Sequence, residues 1–69
     1  MVESYTTAAR YYAKSGRFEE AARVLEQCLR IEERGDVHFI LADVFRRLER
    51  HEKAILHLRR AREMRAEER

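Results

Sequence analysis

Side chains with reactive chemistry are few in this chain: one cysteine, Cys28, and three histidines, His38, His51 and His57. Catalysis by a thiolate or imidazole needs an activating partner beside it, and a helical metal site needs ligands at a spacing such as His-Glu-x-x-His. Neither pattern occurs. No two histidines stand four residues apart, and with only Gly16 and Gly35 there is no glycine-rich phosphate loop. Cys28 lies among Val24, Leu25 and Leu29 on an apolar stripe, which makes it a small core residue rather than a nucleophile. His51, Glu52 and His57 could take a stray metal ion, but histidines solvated at the rim are the simpler reading. The residues point to a non-catalytic protein with no metal and no cofactor.

Charge is the other chemical resource. Fifteen basic and 13 acidic residues leave a net charge of +2 in a chain that is 41% charged, with the signs mostly interspersed. That describes solvated helix faces before it describes a nucleic-acid footprint. The run Arg59, Arg60, Arg62 and Arg65, with Arg46 and Arg47, is where a single strand would be held, and the lack of an aromatic ladder beside it argues against that use. No apolar run approaches the roughly 18 residues of a membrane span. Residues Met1–Arg10 lack the basic and apolar regions of a signal peptide, so the expectation is a cytoplasmic protein without membrane contact.

These groups must be positioned by helices, because 69 residues without proline and with two glycines favour little else. The periodicity predicts a first helix at about residues 3–15, carrying Ala8, Ala9 and Tyr12 inward and stopped by Gly16 in the left-handed conformation. A second, at about 18–33, places Ala21, Ala22, Leu25, Cys28, Leu29 and Ile31 at helical spacing, with Gly35 closing it. Asp36 is expected to cap a third helix at about 37–48. The fourth, at about 51–66, uses Ala54, Ile55, Leu58 and Ala61, and the polar tail 65–69 is expected to fray.

Laid on itself so that Ala9 meets Ala42, the chain matches its own sequence. In that register Arg17, Glu19, Ala21 and Leu25 fall on Arg50, Glu52, Ala54 and Leu58, while Ala8/Leu41, Tyr12/Phe45, Ala22/Ile55, Cys28/Ala61 and Ile31/Met64 agree in kind. A period of about 33 residues is the mark of stacked helical repeats. The stretch Tyr12-Ala-Lys-Ser-Gly-Arg-Phe-Glu-Glu-Ala21, with Leu25 and Cys28, resembles a tetratricopeptide repeat, and Leu41-Ala42, Phe45, Ala54, Leu58 and Ala61 repeat the signature. Small residues at Ala9, Ala21, Ala42 and Ala54 permit close helix crossing. Departures from the family pattern are the missing proline at each repeat end, a period one position shorter than usual, and His38 and His51 where aromatics are common. The resemblance implies an all-α single domain, residues 1–69, of two helix-turn-helix repeats (about 2–34 and 35–67) forming a short right-handed α-solenoid. Pentatricopeptide repeats resemble Tyr12–Leu25 almost as well and imply RNA binding, but two units would read almost nothing. A third alternative is an engineered repeat scaffold without a natural ligand.

For function, the tetratricopeptide resemblance implies protein–protein interaction through a concave groove lined by the first helix of each pair. Carried over by position, that groove comprises Glu3, Thr6, Thr7, Arg10 and Lys14 from the first repeat and Asp36, Phe39, Ile40, Asp43, Arg46 and Arg47 from the second. Its arginines suit an acidic peptide or terminal carboxylate, with Phe39 and Ile40 as apolar anchor. The chaperone-tail clamp of some family members is not expected, since Thr6, Arg10 and Ile40 occupy the matching positions and the chain has no asparagine.

The ends suggest a second use. Ser4, Ala8 and Tyr11 are less apolar than their counterparts Val37, Leu41 and Val44, and Arg62 replaces Leu29, as if both ends met water in a nearly complete unit. Two repeats hold little core, so Tyr11, Ile55, Leu56 and Met64 are candidates for self-association into a homo-oligomer. The turn Leu48-Glu49-Arg50-His51 has Glu49 where the first repeat has Gly16, a conformation costing about 1 kcal/mol for a non-glycine residue. Val37, Leu41, Val44, Leu48, His51, Ile55 and Leu58 would also line one continuous helix, so a dimer exchanging the last two helices is the alternative to the expected hairpin.

Overall fold

The computed structural model describes residues 2–67, and side chains from residue 4 onward. Four helices follow one another: α1 (Val2–Lys14), α2 (Phe18–Ile31), α3 (Gly35–Arg47) and α4 (His51–Glu67). No strand occurs among the described residues, and the fold is all-α. Packing runs in chain order, α1 on α2, α2 on α3 and α3 on α4.

The two hairpin turns fall at equivalent places in the repeats and are built alike. After α1, Arg17 N–H donates to the Tyr12 carbonyl at 2.8 Å and Gly16 N–H to Ala13 at 3.1 Å. After α3, Arg50 N–H donates to Phe45 at 2.9 Å and Glu49 N–H to Arg46 at 3.0 Å. Both close with a left-handed residue, Gly16 at φ 80° and Glu49 at φ 61°, the geometry that satisfies the last carbonyls of a helix. Arg50 reaches back to Glu19 at 3.5 Å, joining one turn region to the other.

The junction of α2 and α3 differs from expectation. Two extended residues make it, Glu32 (φ −153°) and Arg34 (φ −133°). α2 therefore ends at Ile31, and Gly35 opens α3 rather than closing α2. Asp36 is inside the first turn of α3, not at its cap: its carboxylate accepts from Val37 N–H at 2.9 Å and from Arg34 through two contacts of 3.1 Å. A carboxylate there still faces the positive end of the helix. α4 stays helical through Glu67, where Arg60 holds Glu67 at 3.3 Å; residues 68 and 69 of the expected frayed tail lie outside the described residues.

Ala9, Ala21, Ala22, Leu25, Cys28, Val37, Leu41, Val44 and Phe45 form the core, flanked by half-buried Tyr5, Tyr12, Phe18 and Ala54. The alanines on α1 and α2 let those helices approach while Leu25 and Phe45 fill the space between elements. α4 supplies one buried residue, Ala61. Ile31 and Ile55, at helical spacing with the apolar residues of their helices, are both exposed, which for Ile55 agrees with its place among the self-association candidates. The α3–α4 hairpin is closed, as expected, and His51 and Ile55 face solvent in it.

Candidate binding surface

On α1 and α3, Arg10, Lys14, Asp43, Arg46 and Arg47 are exposed, and Thr6 and Ile40 are half-buried. The Glu3 side chain lies outside the described residues. Of the expected groove, Arg10, Asp36, Phe39 and Ile40 line one open depression of about 1000 Å³. Thr6, Lys14, Asp43, Arg46 and Arg47 do not line it. Asp43 binds Arg46 at 2.7 Å and Arg47 at 3.4 Å, and Arg47 sits 5.8 Å from the centre of the Phe18 ring, so that end of α3 is occupied with its own charges.

The other wall of the depression comes from the end of α4: Ala61, Arg62, Met64 and Arg65. The antiparallel α3–α4 packing brings that end beside the start of α3, where a Cβ on Gly35 would sit 3.6 Å from the Met64 Cβ. Sequence reasoning assigned Met64 to self-association and Arg62 and Arg65 to the arginine run of a nucleic-acid binder, not to this depression. The available signal was the hairpin itself, since folding α4 back on α3 lays residues 61–65 beside 35–40.

Four arginines, Arg10, Arg34, Arg62 and Arg65, and three carboxylates, Glu32, Glu33 and Asp36, line the depression, a small excess of positive charge. Asp36 is tied to Arg34. Glu33 is held by Arg60 at 2.7 Å, and this bond, then that from His38, keeps its carboxyl below the usual carboxylate range. Arg10, Arg62 and Arg65 form no ion pair among the described residues. Phe39, 57% exposed, lines the depression beside them.

The histidines are arranged otherwise than the sequence suggested. His51 is exposed, but His38 is only 6% exposed, and its Nδ1 lies 2.9 Å from Nδ1 of His57. His57 stacks on Phe45 with ring centres 5.5 Å apart. The Nε2 of His38 is 3.3 Å from the Glu33 carboxylate. An ionised carboxylate only accepts, so Nε2 of His38 carries a proton and, in the neutral pair, its Nδ1 accepts from the Nδ1–H of His57. The pair joins α3 to α4 and is structural rather than solvated. Among the described residues no cluster of three or more His, Cys, Asp or Glu side chains could hold a metal ion.

The self-association candidates lie on the two end helices. Tyr11, 70% exposed, is on α1; Ile55 and Leu56 are exposed on α4; Met64 is half-buried in the depression. The arginine set is divided as well, with Arg46 and Arg47 at the opposite end of the hairpin from Arg62 and Arg65. Cys28 is a buried thiol. No described helix is long and apolar enough to cross a membrane.

A family model described as tetratricopeptide repeat matches residues 6–68. No curated protein and no solved structure matches the chain. Repeats of this kind are typically non-catalytic scaffolds, and they generally mediate protein–protein interaction. Four helices in two hairpins, with the same turn geometry recurring at Gly16 and Glu49, agree with that match, and the chain belongs to the tetratricopeptide repeat family.

Proposed function

We propose that the chain is a non-catalytic docking module that takes a short acidic peptide of a partner protein in the depression between the start of α3 and the end of α4. The single observation that carries this is the pairing of Phe39 and Ile40 with Arg10, Arg62 and Arg65 around one depression, where two of the three lining carboxylates, Glu33 and Asp36, are already engaged by arginines and Glu32 is left as the acid a peptide must avoid. An apolar side chain of the peptide would cover Phe39, and its carboxylates would take the fork-like hydrogen bonds that guanidinium groups offer. Lys14, Arg46 and Arg47 extend the basic character along α1 and α3 without entering the depression.

The test is fluorescence anisotropy with short labelled peptides, a glutamate-rich series containing one Leu or Phe and its lysine-rich twin. The glutamate series is expected to bind, more weakly at higher salt. Arg10→Glu and Phe39→Ala should each weaken it about tenfold, since few contacts dominate such interfaces. Equal binding of the twins, or indifference to both substitutions, would sink the proposal. Self-association through exposed Tyr11, Ile55 and Leu56 is the competing use of the surface, and light scattering on the same samples separates the two.

A further inference from the structure

The repeats share one register, so each α2 residue has a counterpart in α4 and each α1 residue one in α3. Their surroundings differ, because α2 packs on both α1 and α3 whereas α4 packs on α3. A position buried in α2 but open in α4 is therefore one that α3 covers. Ala22 is 5% exposed and its counterpart Ile55 is 56% exposed. Leu25 is sealed while Leu58 is half-buried, and half-buried Leu29 corresponds to exposed Arg62. The same comparison finds the matching ridge on α3: Val37, Leu41 and Val44 are buried, whereas Ser4 and Tyr11 on α1 are exposed. The molecule thus contains a worked example of a helix seated on Ala22, Leu25 and Leu29, and α4 turns the equivalent seat to solvent.

Charge identifies what fits it. Arg60 gathers Glu33, Glu63 and Glu67 at 2.7, 3.6 and 3.3 Å. Arg59 and Arg62 are left without an ion pair among the described residues. A second copy stacking head to tail would present α1, whose charges near Tyr11 are Arg10 and Lys14, and like charges would meet. We infer that the outward face of α4 is a second docking surface, for an acidic amphipathic helix of a partner protein. Its apolar ridge lies on Ile55 and Leu58 as α3 lies on α2, and its carboxylates pair with Arg59 and Arg62. This surface is independent of the peptide depression except at Arg62, which lines both, so Ile55 and Arg59 discriminate between them.

The probe is a synthetic helix of about five turns that reproduces the Val37, Leu41 and Val44 spacing on one face and carries glutamates on both flanks. Its twin carries lysines there. By anisotropy at low salt, the glutamate helix should bind at least tenfold more tightly than the twin. Ile55→Ala and Arg59→Glu should each weaken it at least fivefold, with helicity unchanged because both side chains are exposed, while Phe39→Ala has no effect. Absence of binding, equal binding of the twin, or indifference to Ile55→Ala and Arg59→Glu would overturn the inference. So would a dimer abolished by Ile55→Ala, which gives the face to a second copy, or displacement of the helix by single-stranded RNA at lower concentration than by unlabelled helix.

Discussion

His38 and His57 meet Nδ1 to Nδ1 at 2.9 Å where α3 packs on α4, with Glu33 bonded to the far nitrogen of His38. The contact accommodates one proton, and a second would set two N–H groups against each other. Burial, and then the charge of His38, hold His57 below the ordinary histidine range, Lys53 acting the same way and Glu26 against it. In the unfolded chain His57 takes up its proton near pH 6.5, so at slightly acid pH the unfolded state binds more protons than the folded one. Stability is therefore fully present above about pH 6.5 and falls as pH drops towards the lowered folded value, by at most about 1.4 kcal/mol per pH unit for one proton and by less where solvent screens the half-buried ring. Urea unfolding at pH 7.5 and 5.5 should show a lower midpoint in acid, and His57→Phe, which keeps a ring against Phe45, should reduce the difference. Equal wild-type midpoints would remove the histidine pair as a source of acid sensitivity.

Gly16 and Glu49 occupy the same left-handed position in the two turns, at φ 80° and 61°. Only the glycine adopts it without a Cβ penalty. Glu49→Gly should raise stability by about 0.5–1 kcal/mol, and Gly16→Ala should lower it by about 1 kcal/mol. A Cβ at Gly16 meets nothing within 4 Å, so the second loss would be backbone strain alone. Thermal unfolding of the two variants should move in opposite directions; movement in one direction would mean that the turns are not equivalent.

Why this much was legible in the sequence follows from where the information is local. The repeat register located the hairpin turns because Tyr12/Phe45 and Gly16/Glu49 use the same short-range hydrogen bonds. The α2–α3 junction was misread because Gly35 suggested a left-handed stop, whereas extended Glu32 and Arg34 make the turn. Ile31 and Ile55 follow the apolar spacing of their helices, and Ile55 also stands among the self-association candidates, because periodicity states which residues share a face but not whether another element covers it. The His38–His57 contact joins two helices across a long stretch of chain and has no signal in spacing. The depression was half legible for a similar reason: Arg10, Phe39 and Ile40 follow from the repeat pattern, while Met64 and Arg65 reach it only because α4 folds back on α3.

Gly35 provides a direct check of that correction. It lies at the first position of α3, and a Cβ there would stand 3.6 Å from the Met64 Cβ and 3.8 Å from the Ala61 carbonyl oxygen, ordinary van der Waals contact. Gly35→Ala should be neutral or stabilising by up to about 1 kcal/mol, from lower unfolded-state entropy and added contact with α4. Were Gly35 instead a left-handed helix stop, the same change would cost about 1 kcal/mol. The sign of the shift in urea midpoint decides between the two geometries.

Cys28 reports on whether two repeats hold together without a partner. Its side chain is fully buried in the same cluster as Leu25, Val37 and Phe45, so a thiol reagent reaches it only when the α2–α3 packing opens. A chain of this size buries a modest share of its surface, and a stability of about 3–5 kcal/mol makes the open fraction roughly 10⁻² to 10⁻⁴. Labelling by a disulfide reagent in native buffer should therefore be at least a hundredfold slower than in denaturant. Phe45→Ala, which removes the ring that supports both the core and His57, costs about 3–5 kcal/mol and should bring the native rate up to the denatured one. Fast labelling of the wild-type chain, together with protection that grows with protein concentration or on adding a docking helix, would show that the core closes only when a partner covers α4.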